Sequence, residues 1–419
     1  MTKKHALAGA CCTSNFLSEN KYMKFNTNDE QGSEGQPIIK RIQEFLFSKY
    51  EYRVNIVSNQ LERKKKANAD WELVNMADIE FDLFTANFKA FKDPLKALLG
   101  SKLIPKYDPF ATYFESLPTW DASQPDYIDQ LADFVHTDDQ RWWKWMFKKW
   151  LVRAVGQAVG KIPFNKQCLT LVGKQNDGKT TFLDFLVPDG LKLYAKKGFD
   201  FSKKDGKFSL IQNFFINLDE LASFEKKELN NEFKSVISES TVKFRLLFQN
   251  VETPFQRRAS FVASTNQYEF LTDETGNVRW LPFVVKNIQH DAGGPNGYAA
   301  AVNIDKVWAQ AMALLNNSEF NCNMTPDEIN QQGLLNRRFL KTSTEMEVIS
   351  KYFVSSDKED NEAMFYTASD IEEYLKGKMT LRLYRNQIGK AMQIMGFTQE
   401  TNYNPQKGYS QRGYFLRIK

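Results

Sequence analysis

Eight consecutive residues carry the clearest chemistry in this chain: Gly173-Lys174-Gln175-Asn176-Asp177-Gly178-Lys179-Thr180. They fit the pattern G-x-x-x-x-G-K-[ST] without a mismatch, and their surroundings suit it. The apolar run Cys168 to Val172 predicts a strand before the loop, and Thr180 to Leu186 a helix after it. Such a loop turns successive backbone N–H groups inward on a polyphosphate, and the start of the helix adds its positive end. Lys179 would reach the β- and γ-phosphates of a nucleoside triphosphate. The Thr180 hydroxyl would ligate Mg2+, and Thr181 extends the binding run. ATP and Mg2+ are therefore the expected cofactors. A chance lysine in an ordinary strand-turn-helix is the competing reading, and the flanks argue against it.

Two further strand ends supply polar groups. The apolar run Phe214 to Leu218 ends in Asp219-Glu220. An acidic pair alone is commonly a solvated helix start. After a buried strand it sits where an α/β sheet places its ligands. Asp219 is expected in the Mg2+ shell, and Glu220 is expected to polarise the attacking water. Ser260 to Asn266 is a third strand with a polar tip, and Asn266 is expected between the other two strand ends, orienting that water. An asparagine there is often only a turn residue, so its role depends on the first two motifs.

The elements that must position these groups are legible in outline. At 419 residues, 42% hydrophobic and 26% charged, the chain has a globular composition with room for two or three domains. No apolar run is long enough to span a membrane. The first residues lack the apolar stretch of a signal peptide, so a cytoplasmic location is expected. Cys11, Cys12, Cys168 and Cys322 form no CxxC pair, and His5, His136 and His290 are dispersed. A zinc site or a Ser-His-Asp enzyme is a poor fit. Net charge is only +5, so its distribution matters more than its sum.

Residues 1–37 read as a loose tail, and 38–161 as a mainly helical collar with short strands at Val54 to Leu61 and Trp71 to Val74. Its last helix is crowded with Trp142, Trp143, Trp145, Phe147 and Trp150, better suited to core or subunit packing than to base stacking. Residues 162–342 alternate strands and helices, the texture of an α/β P-loop core with a parallel sheet. Residues 343–419 read as three helices and a two-stranded tail, the pattern of a winged helix, with Thr367 to Asp370 as a capping box.

Taken together, Phe164 to Val285 resembles the AAA+ core of superfamily 3 helicases, and more closely the virulence-associated protein E family of phages and mobile elements. Lys234, Arg245, Phe248 and Arg257-Arg258 match that pattern. So does Asp273-Glu274-Thr275-Gly276-Asn277-Val278-Arg279-Trp280-Leu281-Pro282. The family usually carries two arginines after its TGN, whereas this chain has Val278-Arg279, so Arg279 is the single candidate for an arginine finger. It also often has a glutamate where Asn217 stands, which leaves the acidic role to Asp219 and Glu220. Such a finger reaches the γ-phosphate of a neighbouring subunit.

The resemblance implies a ring, with a hexamer the expected assembly, and a hairpin in its pore gripping single-stranded DNA. Thr241 to Phe248 and Thr253 to Arg258 are its expected arms. Lys243 and Arg245 lie on one face for phosphates, with Phe248 and Gln249 against a sugar or base. From Lys376 onward nine cations face Glu400 alone. In the third helix Tyr384, Ile388, Ala391, Met392 and Met395 would face inward and Arg385, Asn386 and Lys390 outward, as on a major-groove reader. Lys407 to Arg412 would form the wing against duplex DNA. The implied function is a 3′→5′ DNA helicase of phage or mobile-element replication. An ATP-gated DNA-binding initiator without unwinding activity, and the helicase half of a primase-helicase, are the alternatives.

Overall fold

The computed structural model describes residues 35–67, 70–201, 204–218, 221, 227–245, 251–272, 277–379 and 383–419. Its centre is a six-stranded sheet in the order Val135–Thr137, Trp280–Ile288, Cys168–Val172, Ser260–Thr265, Phe215–Leu218, Ala195–Lys197. All neighbours are parallel except the first pair. The central strands read as continuous apolar runs because they are covered on both faces. Leu169, Leu171, Phe283 and Val262 enter one core, with the helices Gln140–Ala158 and Ile304–Asn316. Cys168, Val172, Ile216 and Phe261 enter the other, with Phe233, Val236 and Ile237 of the helix Lys227–Ser238. Among the described residues no helix is long and apolar enough to cross a membrane.

The cores part at a different place from the boundary read at residue 161. Phe110, Phe114, Leu131 and the whole inward face of Gln140–Ala158 share one buried cluster with the sheet. The crowded aromatics settle as core: Trp143 stacks on Phe147 at 4.5 Å between ring centroids, and Trp150 meets Phe215 at 5.3 Å. Only Trp145 is substantially exposed, at 43%, with its indole N–H on Glu328. The separate N-terminal core spans Ile42 to Ile104. Helices predominate there, but a four-stranded sheet accompanies them. Tyr50–Asn55 and Gln60–Lys65 form a hairpin where one strand from Val54 to Leu61 was expected. Its turn holds Asn59 at φ 54°, a left-handed position that asparagine tolerates.

Residues 343–419 form a third core. Helices Thr344–Tyr352, Ala368–Lys376 and Arg385–Ile394 pack on an antiparallel sheet built around Tyr409–Ile418. The capping box holds as read: Thr367 Oγ1 accepts from the Asp370 N–H and the Asp370 carboxylate from the Thr367 N–H. Gly396, at φ 81°, follows the third helix. Two short strands, Phe353–Ser355 and Met364–Tyr366, were not apparent from the sequence because three residues are too few for an alternation to register.

One buried cation ties these layers together. Arg257 is 0% exposed and makes no ion pair among the described residues. Its guanidinium donates to the carbonyls of Ala259 (2.9 Å), Ile237 (2.7 Å), Val236 (3.3 Å) and Asn165 (3.4 Å). Burial pulls its pKa down to about 9, still above neutrality, so it remains a cation. Two of those carbonyls end the helix Lys227–Ser238, where a positive charge is favoured. Arg257→Met would bury a thioether against these carbonyls and take the guanidinium from Ile237 and Asn165, while Ala259 keeps Gln157 Nε2 and Val236 keeps the Glu239 N–H. The expected loss is on the order of 3 kcal/mol. Urea denaturation followed by tryptophan fluorescence checks it, and an unmoved midpoint would contradict this account.

Candidate nucleotide-binding site

The phosphate loop lies where the sheet's strands end. Cys168–Val172 delivers Gly173, whose N–H donates to the Thr265 carbonyl at 3.1 Å and so fixes the loop to the neighbouring strand. Asn176 (φ 66°) and Gly178 (φ 79°) are both left-handed. Alternation of this kind turns adjacent amides to one side, a conformation suited to an anion. The helix Lys179–Phe185 follows directly. An open cleft of about 1030 Å³ runs over the loop, lined by Gln175 to Thr181 on one side and Ser264 to Gln267 on another, with Leu221 and His290 completing it.

Lys179 is the electrostatic centre of the cleft. It is 6% exposed. Its ammonium donates to the carbonyls of Gly173 (3.1 Å) and Lys174 and to Asn266 Oδ1 (3.1 Å). Three donors meet three acceptors, so the charge is solvated by the protein. Burial lowers its pKa from the ordinary lysine value, with Asp177 pulling the other way. Asn266 reaches Lys179 because Ser260–Thr265 pairs in parallel with both Cys168–Val172 and Phe215–Leu218. It therefore stands between the two strand ends, as its place in the sequence suggested. Thr180 Oγ1 lies 3.1 Å from Ser264 Oγ across the cleft.

Asp219 and Glu220 lie outside the described residues; the strand leading to them, Phe215–Leu218, is fully buried. Asn217 on that strand is 4% exposed, and neither amide atom has a partner among the described residues. Arg279 does not join this cleft. It precedes Trp280, which pairs with Cys168, whereas Val284 pairs with Val172. Arg279 is thus at the opposite end of the sheet from Gly173, about 20 Å along the strands. Its Nε donates to Ser238 Oγ at 3.4 Å.

A hairpin forms from shorter arms than expected, Thr241–Arg245 against Glu252–Gln256 among the described residues, with Arg245 opposite Glu252. Lys243 and Arg245 are exposed on one face, while Val242 is buried on the other and Phe244 packs on Phe208 and Phe255. Phe248 and Gln249 lie outside the described residues. In the C-terminal unit Ile388, Ala391 and Met392 are buried, but Tyr384 caps the helix and is 55% exposed rather than inward. A cap position follows the turn before the helix, not its apolar stripe. Arg385 is outward yet paired with Glu372 at 2.9 Å, an acid the charge count from Lys376 onward did not include. Asn386, Lys390, Lys407 and Arg412 are exposed. His290 was missed altogether, and nothing in its type or spacing marks it.

Comparison with known proteins bears on this geometry. The virulence-associated protein E-like domain matches residues 114–341, more than half of the chain. No curated protein matches the sequence. Among solved structures, the apo C-terminal region of NrS-1 superposes with a TM-score of 0.46 at 11% identity. It covers 91% of this chain and 100% of that one. The active helicase Cch of SCCmec type IV gives 0.35 at 11% identity, covering 86% and 92%. Neither superposition is close enough to bear on mechanism, and the domain match does not depend on them. By that match, the chain belongs to the virulence-associated protein E-like family.

Proposed function

We propose that this chain is an ATP-dependent DNA helicase of the superfamily 3 type. On this reading it works as a hexameric ring, moves 3′→5′ and serves the replication of a phage or other mobile element. The observation that carries the reading is the 3.1 Å contact between Lys179 Nζ and Asn266 Oδ1 inside the cleft. It joins the phosphate-binding loop to the group that would orient the attacking water, across 87 residues of sequence.

The residues divide the work. The loop amides and Lys179 hold the phosphates, the ammonium exchanging loop carbonyls for phosphate oxygens. Asn266 positions the water, and Glu220 takes its proton. Thr180 and Asp219 would hold Mg2+, a hard cation that suits their oxygens, and Thr180 Oγ1 already faces the cleft. The metal, when bound, neutralises charge on the phosphates. Arg279 serves a neighbour's site, since its own loop is a sheet-length away. Lys243 and Arg245 track the backbone of single-stranded DNA, with Phe248 and Gln249 against a sugar or base. Residues 343–419 act as a winged helix on duplex DNA through Arg385, Asn386, Lys390, Lys407 and Arg412. Of these, Lys390, Lys407 and Arg412 make no ion pair among the described residues, which leaves them available to phosphates.

Three measurements test the proposal. Steady-state ATP hydrolysis should rise with single-stranded DNA and vanish in Lys179→Ala. Turnover indifferent to DNA would favour an ATP-gated initiator that binds through residues 343–419 and unwinds nothing. Arg279→Ala should retain nucleotide binding and lose about a thousandfold in hydrolysis. Mixing it with Lys179→Ala subunits should then restore activity, because a mixed interface pairs an intact loop with an intact arginine. No recovery would argue against a shared site. Finally, Lys243→Ala combined with Arg245→Ala should flatten the slope of log affinity against log salt for single-stranded DNA by about 1.4, or roughly 0.7 per lost phosphate contact. An unchanged slope would remove the hairpin from the DNA path.

A further inference from the structure

The cleft has a wall that phosphate chemistry leaves unused. His290, half-buried, stands on it two residues beyond the strand Trp280–Ile288. A Cβ on Gly178 would lie 2.8 Å from His290 Cδ2 and 3.5 Å from Nε2, so the imidazole edge rests on the loop at its second glycine. The ring is oriented from behind, its Nδ1 accepting the Ala292 N–H at 3.0 Å. A neutral imidazole that accepts at Nδ1 carries its proton on Nε2. No described residue accepts that proton.

The backbone holding the ring is over-determined. Asp291 and Ala292 are left-handed, at φ 46° and 42°, although both carry a Cβ. Asp291 Oδ2 accepts the Asn296 N–H at 2.8 Å, and the Tyr298 N–H donates to the Gln289 carbonyl at 3.1 Å. A Cβ on Gly297 would come within 2.4 Å of the His290 carbonyl oxygen, so the turn closes only with glycine there. Gln289 pins the turn to the sheet edge. Its N–H donates to the Phe134 carbonyl at 2.9 Å, and its side chain lies 3.2 Å from His136 Nε2. Strain held this firmly clusters where a ligand is gripped.

We propose that His290 is a specificity-determining residue of the nucleotide site, its Nε2–H meeting the nucleoside, while the loop and Lys179 hold only phosphates. The sheet order assigns the ends. Trp280–Ile288 and Ser260–Thr265 flank Cys168–Val172 on opposite sides, so His290 and Asn266 face the loop from opposite sides. Asn266 and Lys179 mark the end where hydrolysis occurs, which leaves the nucleoside on the side of His290. This inference rests on the nucleotide reading above.

The test compares two ligands on the full chain: ATP, and inorganic tripolyphosphate, which has the phosphates and no nucleoside. His290→Ala should weaken ATP binding about tenfold and leave tripolyphosphate unchanged. His290→Gln, which keeps a donor, should recover part of the loss. Equal weakening of both ligands would mean that the ring only props the loop, and would overturn the proposal. So would no change in either. Melting of the unliganded variants shows whether each is folded, and His290→Gln carries the comparison should His290→Ala not fold. A wild-type chain that bound neither ligand would sink the nucleotide reading itself, a result distinct from failure of the His290 assignment.

Discussion

The arrangement around the cleft depends on a buried guanidinium held by backbone carbonyls. Arg257 sits between the hairpin strand Glu252–Gln256 and the sheet strand Ser260–Thr265. Its carbonyl partners come from the end of one helix, from the segment before the phosphate-loop strand and from its own connection, at Ala259. Neutral acceptors hold a buried charge without a second charge to desolvate, and each needs a donor in return. Arg258 extends the same anchor outward. Its Nη1 donates to the Ala158 carbonyl at 2.7 Å and pairs with Asp108 at 2.7 Å, beside the start of the helix Pro109–Ser116. The hairpin base is therefore fixed to the sheet, to the aromatic helix and to the segment leading from the N-terminal core.

The same strand that leaves Arg257 ends at Asn266. Its six residues span about 20 Å of hydrogen-bonded backbone with a neighbour on each side. A flexible connection would let the two ends move independently; a central strand in a parallel sheet does not. That gives a physical path by which the occupancy of the cleft and the position of the hairpin can bias one another, as the proposed coupling of hydrolysis to DNA movement requires.

What could be read from the sequence follows from how local the cause is. The phosphate loop was legible because its glycines, lysine and hydroxyl are contiguous and its left-handed turns need no distant partner. Asn266 was legible as a strand tip, whereas its strand's place between the other two is fixed by long-range pairing. His290 was not, because its meaning comes from Gly178, more than a hundred residues away. Arg257 read as one of a basic pair, yet burial makes it a core residue and only Arg258 reaches the surface. The break read at residue 161 followed a change of texture at Cys168. Packing ignores that change, since Gln140–Ala158 covers the sheet it precedes. In the C-terminal unit a count of cations overstated the free charge, because Glu372 and Asp360 lie upstream of the stretch counted and answer Arg385 and Arg417.

Asn217 shows how burial limits where the acids of such a site can lie. The resemblance puts a glutamate there, but this position is 4% exposed and its amide atoms have no hydrogen-bond partner among the described residues. An ionised carboxylate in that setting would be costly enough to take up a proton and lose the charge that catalysis uses. The neutral amide costs less, about 1–3 kcal/mol for its unpartnered atoms. A working acid has to stand past the buried run, where the strand ends and solvent or a ligand can answer the charge. In this sequence the first residues after that run are Asp219 and Glu220, so under the proposed function the amide at 217 and the acid pair two positions on answer one electrostatic constraint.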